Sequence, residues 1–362
     1  MTEEMRTAAA QFFATAAIRE IRAYGSGRVN ETFLVTAGGD GGRFILQRLS
    51  PAVFARPEWI MENLRVVEDH VRQKLDSGAE SGFVMAQISQ TLEGRDFYRD
   101  GSGACWRMLH FIDHSRTFDT VQSPLQAAEA GRVLGRFHRL ISDLDPALLH
   151  DTLPGFHVTP VYLARYDQVA AAAAGQQSSA DMHYCHEFVA RRRDMVHVLE
   201  NAVKKGELLL RPIHGDPKLS NILFDENSGL AVSLIDLDTV KPGLIQYDIG
   251  DCLRSCCNTM GEETSPADVH FDATLCRLIL QGYMAEAGPF LSPHDCRYFY
   301  DAARLIAFEL GLRFFTDYLA GNIYFKTSSP GQNLHRALVQ FALTDSIEKQ
   351  QREIALIIRE IS

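Results

Sequence analysis

The sequence predicts an α+β protein of two unequal lobes, a small β-rich one followed by a larger, mainly helical one. Three observations carry this. Short β-prone runs separated by glycine turns fill residues 18–111. After residue 115, apolar residues recur at helical spacing. The chain has 362 residues, 46% hydrophobic and 23% charged, enough to bury a large core without metal or disulfide support. The division falls between 1–110 and 111–362, with the join near 110–116.

The first 20 residues read as a surface helix, apolar over 8–18 but interrupted by Gln11 and Thr15. Thr32-Phe33-Leu34-Val35 and Arg43-Phe44-Ile45-Leu46-Gln47-Arg48-Leu49 flank Gly38-Gly39-Asp40-Gly41-Gly42, which predicts a hairpin. A helix follows, with Pro57 near its first turn and Ile60, Leu64, Val67, Val71 and Leu75 on one stripe. Residues 83–88 and 106–111 are the next strand candidates. Leu134, Phe137, Leu140 and Ile141 put residues 125–140 on an amphipathic helix. The alanines at 170–174 extend another helix, and Gly175-Gln176-Gln177-Ser178-Ser179 reads as a loop. Residues 186–204 read as an exposed helix carrying Arg191, Arg192 and Arg193. Ile347, Ile354, Ile357, Ile358 and Ile361 predict a last helix that closes the core.

Charge narrows the partners. Lys plus Arg is 36 and Asp plus Glu is 46, a net charge of −10. Nucleic acid and anionic membranes both need a basic footprint, so neither is expected as a partner. The seven cysteines are odd in number and irregular in spacing, which fits reduced thiols. Cys252, Cys256 and Cys257 lack zinc-type spacing and read as buried helical thiols. The start, Met1-Thr2-Glu3-Glu4, is acidic where an export signal is basic, and no run reaches membrane-spanning length. A cytoplasmic location is expected.

The chemistry is concentrated in His214-Gly215-Asp216-Pro217-Lys218-Leu219-Ser220-Asn221. Asp216 and Asn221 stand five apart. The apolar run 222–224, the turn Asp225-Glu226-Asn227-Ser228-Gly229 and a second apolar run over 230–235 then return the chain to Asp236. Phosphoryl transfer needs this inventory: a base for the attacking alcohol, oxygen ligands for the magnesium that holds the nucleotide phosphates, and a cation at the transferring group. Asp216 fits the base, Asn221 and Asp236 the Mg²⁺ ligands, and Lys218 the cation on the γ-phosphate. The layout matches the protein-kinase loop H-R-D-L-x-x-x-N and its later D-F-G. Gly215 replaces the Arg, and Asp236-Leu237-Asp238 replaces the triplet. The expected fold is therefore bilobal and protein-kinase-like, with ATP and Mg²⁺ as cofactors. No A-P-E-like segment follows Asp236, which argues against a protein kinase. The presence of Asp216, Asn221 and Asp236 together argues against a pseudokinase scaffold.

Upstream, Gly25-Ser26-Gly27 reads as a turn whose backbone N–H groups approach phosphate. The strand at 43–49 should bring a cation to the α- and β-phosphates. Arg48 is the cation near its end and takes that role, with Glu62 or Glu68 of the next helix as its anchor. Asp248 and Asp251 read as braces capping backbone N–H groups. Asp238 reads as a support beside the metal, His214 as holding the loop from behind, and His157 as structural.

These residues resemble the aminoglycoside phosphotransferase and choline kinase superfamily, whose motif reads H-G-D-x-x-x-x-N followed by I-D-x-D. Within it the N-acetylhexosamine 1-kinase-like branch looks closest. The similarity is carried by Phe44-Ile45-Leu46-Gln47-Arg48, Trp106-Arg107-Met108, Leu153-Pro154-Gly155-Phe156-His157, the 214–221 loop and Ile235-Asp236-Leu237-Asp238-Thr239-Val240. It extends through Tyr247-Asp248-Ile249-Gly250-Asp251 and Arg313-Phe314-Phe315-Thr316-Asp317-Tyr318-Leu319 to Tyr324-Phe325-Lys326. The resemblance implies transfer of the ATP γ-phosphate to the anomeric hydroxyl of an N-acetylhexosamine. It places adenine near 109–112, at Leu109 and Phe111, and the sugar at Arg313 and Tyr324. Arg28 stands where relatives tend to carry a sugar-touching His, and bears on which sugar is accepted. Another small alcohol, such as an amino alcohol or an aminoglycoside, is the alternative acceptor.

Overall fold

The computed structural model describes residues 3–14, 17–25, 29–38, 41–78, 82–173 and 179–361. In the N-terminal region the chain runs α1 (Glu3–Ala9), β1 (Ile18–Ala23), β2 (Glu31–Ala37), β3 (Arg43–Arg48), α2 (Pro57–Asp76), β4 (Ile88–Ser89), β5 (Tyr98–Arg99) and β6 (Cys105–His110). The strands form one antiparallel sheet in the order β1-β2-β3-β6-β4, with β5 also on β6. The first helix is shorter than the sequence suggests, because Ile18 already belongs to β1. Of the expected strand at 83–88, only Ile88 pairs in the sheet.

Side-chain alternation decides which residues of the sheet face the rest of the molecule. Leu46 on β3 and Trp106 and Met108 on β6 pack with Ala8, Ala9 and Phe12 beneath α1, forming an outer cluster. Ile45, Gln47, Arg107 and Leu109 lie on the opposite face, with Gln47 directly across from Arg107 and Ile45 across from Leu109. That inner face looks toward the helical region.

The C-terminal region contains β7 (Ser115–Arg116), α3 (Pro124–Ile141), α4 (Thr159–Ala172), α5 (Ala180–Ala190), α6 (Val198–Lys204), β8 (Arg211–Ile213), β9 (Ile222–Asp225), β10 (Ala231–Leu234), β11 (Lys241–Gly243) and α7 (Ile245–Cys256). It ends with α8 (Ala273–Ala287), α9 (Pro293–Arg297), α10 (Phe299–Leu319), α11 (Gln332–Lys349) and α12 (Gln351–Ile361). Ser123 caps α3 by accepting from the Gln126 N–H, and Pro124 occupies its first turn. The helix expected over 186–204 is broken into α5, a 3₁₀ turn at Arg193–His197 and α6. Arg192 and Arg193 are drawn aside there to Glu348 and Asp167.

Helices α3 and α8 meet backbone to backbone. A Cβ on Gly131 would lie 1.8 Å from the Ile279 carbonyl oxygen, and one on Gly282 would lie 2.0 Å from that of Ala128. The main core is continuous from α2 (Ile60, Leu64, Val67, Val71) through α3 (Leu134, Phe137) to α12 (Ile354, Ile357), so the last segment does close it, but the single helix expected over 345–361 is broken at Gln350, which leaves Ile347 on α11. Buried Asn63 ties α2 to the helical region by donating to the Val240 and His150 carbonyls, each at 2.8 Å. None of the seven cysteines forms a disulfide, and all are buried. Among the described residues no helix is long and apolar enough to cross a membrane.

Candidate active site

The loop between β8 and β9 carries His214 to Asn221, and buried groups grip it from behind. Asp248, at the N-terminal end of α7, accepts from the backbone N–H of His214 (2.7 Å) and of Gly215 (2.8 Å), and is hydrogen-bonded to His138 Nε2 at 2.8 Å. Gly215 has φ +86°, and a Cβ there would lie 2.6 Å from the Thr239 carbonyl oxygen. The arginine of the protein-kinase loop therefore has no room here. His214 Nε2 donates to the Ile235 carbonyl (3.1 Å), and its Nδ1 accepts from the Asp216 N–H (3.2 Å). Burial lowers its pKa and favours the neutral ring.

His157 lies between Glu309 Oε1 (3.1 Å) and the Gly215 carbonyl (2.7 Å). Both partners are acceptors, so both ring nitrogens donate. Burial opposes the charge, but Glu309 outweighs it and the pKa is raised. Asp251 does not cap backbone N–H groups as expected; it pairs with Arg254 Nε at 2.8 Å.

On this platform Asp216, a quarter exposed, meets Lys218 Nζ at 2.5 Å. Burial opposes the Lys218 charge, while Asp216 and Asp236 raise its pKa more strongly. The Asn221 amide nitrogen donates to the Asp216 carbonyl (2.8 Å) and carboxylate (3.1 Å), which turns its amide oxygen the other way. The Ile235 N–H bonds to the Asn221 carbonyl at 2.9 Å, bringing the next residue, Asp236, beside it. Asp236 adopts φ +66°, a left-handed turn that aspartate tolerates. Its carboxylate opens on the cleft without a hydrogen-bond or ion-pair partner among the described residues. Surrounding protein, then Asp238 and Asp216, push it up to about 7 against the pull of Lys218 and Arg107. An amide oxygen and an unneutralised carboxylate side by side fit a hard divalent cation such as Mg²⁺.

Opposite this platform stands the inner face of the N-terminal sheet. Gly25 follows β1 with φ +74°; Ser26, Gly27 and Arg28 lie outside the described residues. Arg48 is on the outer face of β3, over the Trp106 ring at 5.8 Å and paired with Glu31 (3.4 Å) and Glu4 (3.5 Å). Neither expected anchor reaches it. Glu62 binds His150, and buried Glu68 accepts from the Ile88 N–H and pairs with Arg65 and Arg72. On the inner face, Arg107 directs its charge at the turn that carries Asp236 and Asp238. It is 1% exposed, paired with Asp238, and held by Gln47 Oε1 at 2.9 and 2.8 Å. Asn30 adds a 2.6 Å bond to Asp238. Leu109 is part-buried on the inner face, and Phe111 begins the connection to the helical region, edge-on to Tyr24 at 5.7 Å.

The third wall comes from α4 and α10. Arg313 sits among aromatic rings, 5.0 Å from those of Phe156 and Tyr162, 5.5 Å from Phe325 and 5.9 Å from Tyr324. Asp317, one turn on, accepts the backbone N–H groups of Ile323, Tyr324 and Phe325 and so folds that loop back onto Arg313.

The model of the phosphotransferase enzyme family (APH) matches residues 20–287. The chain belongs to that family. Aminoglycoside phosphotransferase from Alicyclobacillus acidocaldarius has a similar fold, with TM-score 0.64 and 17% identity over 98% of this chain and 96% of that one. Choline kinase from Cryptosporidium parvum matches with TM-score 0.56 and 14% identity over 96% and 92%. Spectinomycin phosphotransferase, solved with ADP and spectinomycin, matches with TM-score 0.51 and 12% identity over 92% and 93%. The chain is thus a phosphotransferase by family, with the fold of these kinases. Sequence reasoning about this phosphotransferase gave no role to Asn30 and Tyr162, and used Phe156 and Arg107 only as parts of matching segments. One signal was there for Arg107: a lone arginine in the apolar run Cys105-Trp106-Arg107-Met108-Leu109 marks a buried charge that needs a partner.

Proposed function

We propose that this phosphotransferase transfers the γ-phosphate of ATP to a sugar, at the anomeric hydroxyl of an N-acetylhexosamine. The observation that carries the acceptor is Arg313 in its ring of four aromatic side chains. Aromatic faces suit the apolar face of a sugar ring, and a guanidinium offers several donors to hydroxyls or an acetamide carbonyl. A cationic amino alcohol or aminoglycoside would instead meet a positive charge there.

The nucleotide lies between residues 1–110 and 111–362, with adenine at Leu109 and Phe111 and its phosphates assigned, from the sequence, to the segment Gly25-Ser26-Gly27. Asn221 and Asp236 would hold Mg²⁺, which neutralises phosphate charge when bound. Asp216 takes the proton of the sugar hydroxyl on its carboxylate as the oxygen attacks phosphorus. The bond to the β–γ bridging oxygen breaks, and ADP leaves. Lys218, paired with Asp216 here, supplies the cation at the group in flight. Tyr324 completes the acceptor side with Arg313, and Arg28, outside the described residues, is assigned to acceptor choice from the sequence alone. The ADP held by the spectinomycin phosphotransferase supports the nucleotide site. An ATP-consumption screen over hexoses, N-acetylhexosamines, amino alcohols and aminoglycosides tests the acceptor. Turnover with N-acetylhexosamines is expected, and turnover confined to amino alcohols or aminoglycosides would overturn this reading.

A further inference from the structure

On the nucleotide reading above, we infer that Arg107 of β6, oriented by Gln47 of β3, is the sheet's cation for the nucleotide phosphates, and that Arg48 has no part in binding them. Parity is the first argument. Successive residues of a strand point to opposite faces. Leu46, Arg48, Trp106 and Met108 share the outer face with α1, while Gln47 and Arg107 share the inner face, directly opposite one another. Arg48 would have to pass through the sheet to reach the cleft, and it already has Glu31 and Glu4 as partners.

Placement is the second argument. Arg107 reaches Asp238, two residues after the carboxylate assigned to Mg²⁺, and Asn30 bonds to the same Asp238. The guanidinium therefore lies where the sheet and the metal loop meet.

Unmet bonding capacity is the third. Gln47 Oε1 takes Arg107 Nε and Nη2, and Gln47 Nε2 is in turn engaged by Thr32 Oγ1 at 3.1 Å. Nη1 is buried with no hydrogen-bond partner among the described residues. A buried donor rarely goes without an acceptor, and a phosphate oxygen is one whose geometry a guanidinium nitrogen matches. The neutral Gln47 belongs to the same design: a cation at that position would repel Arg107, whereas an amide oxygen fixes its plane.

The test compares binding of ADP and adenosine in EDTA, so that no metal bridges the phosphates, for the full-length protein and for Arg107→Met and Arg48→Met. Arg107→Met should weaken ADP about 10- to 100-fold, the range for a hydrogen bond to a charged group, and leave adenosine unchanged. Arg48→Met should leave both unchanged. Because Arg107→Met strands the buried Asp238, Arg107→Met/Asp238→Asn provides the same comparison if the single variant does not fold. Equal loss of ADP and adenosine would mean that Arg107 only supports the fold, and would overturn the inference. So would parental ADP affinity in the Arg107 variants, or a phosphate-specific loss in Arg48→Met. A parent protein that binds neither ligand would instead bring down the nucleotide reading itself.

Discussion

Replacing Asp248 by asparagine isolates the grip on the catalytic loop. The residue is fully buried and its two carboxylate oxygens serve three partners, the His214 and Gly215 N–H groups and His138 Nε2. Asparagine keeps the size but presents one oxygen and one NH₂. One charge-assisted bond is lost, worth roughly 1.5–3 kcal/mol, and a buried donor is set against a donor, costing about 1–3 kcal/mol more. A total near 4 kcal/mol follows. Unfolding entropy scales at about 2.1 cal/mol/K per residue, or about 0.8 kcal/mol/K for 362 residues. Asp248→Asn should therefore lower the calorimetric Tm by about 5 °C. Loss of the Gly215 N–H bond also loosens Asp216, so kcat should fall while the KM for ATP stays near the parental value. A variant that keeps both the parental Tm and the parental kcat would show that this carboxylate does not hold the loop.

Asp216→Asn should reduce kcat by about 10²–10⁴-fold, the usual worth of a general base, with ADP affinity by titration calorimetry retained; equal loss of both would remove it as the base. Asp236→Asn should weaken nucleotide binding in Mg²⁺ but not in EDTA, and the opposite pattern would contradict its placement as a metal ligand. Arg313→Ala should raise the sugar KM by the factor set by about 1–3 kcal/mol and leave the ATP KM alone, as steady-state kinetics with each substrate varied will show. His157 has a raised pKa, facing Glu309 and Asp251 against the opposing charge of Arg313. Its stabilising charge is fully present below the ordinary histidine value of about 6.5 and is lost as pH rises through the raised folded value. The Tm gap between the parent and His157→Gln should accordingly narrow with rising pH, and a widening gap would contradict the assignment.

What the sequence discloses follows from how far apart the partners lie along it. Asp216, Lys218 and Asn221 sit in one loop, and a single hairpin returns Asp236, so local pattern was enough to bring them together. Arg313 and Tyr324 are eleven residues apart, joined by a turn that glycine and asparagine announce: Gly321 has φ +91° and Asn322 +61°. The structure sets the guanidinium 5.9 Å from the tyrosine ring. Arg48 misled for a different reason. The strand and its cation were legible, but the side facing the cleft depends on whether even or odd positions point inward. A shift of one residue reverses that answer, and α1 packing under Leu46 settles it. Phe156 and Tyr162 come from around α4, far along the chain from α10, and only the tertiary fold brings them to Arg313. The broken helix at 186–204 reflects the same limit, since Glu348 and Asp167 take hold of its arginines from distant elements.

Asp317 engages the loop after α10 through main-chain N–H groups alone at three consecutive positions, and Asn333 bonds to the same carboxylate at 2.9 Å. A main-chain N–H is common to every residue except proline, so these three hydrogen bonds do not depend on the side chains at 323, 324 and 325, while the Phe325 ring adds packing on Phe314 at 4.5 Å. Ile323, 79% exposed, already hangs from the loop without packing on it. On the acceptor reading proposed above, positions 323 and 324 can therefore be rewritten by evolution, or by a mutant library, without disturbing the hook that holds them.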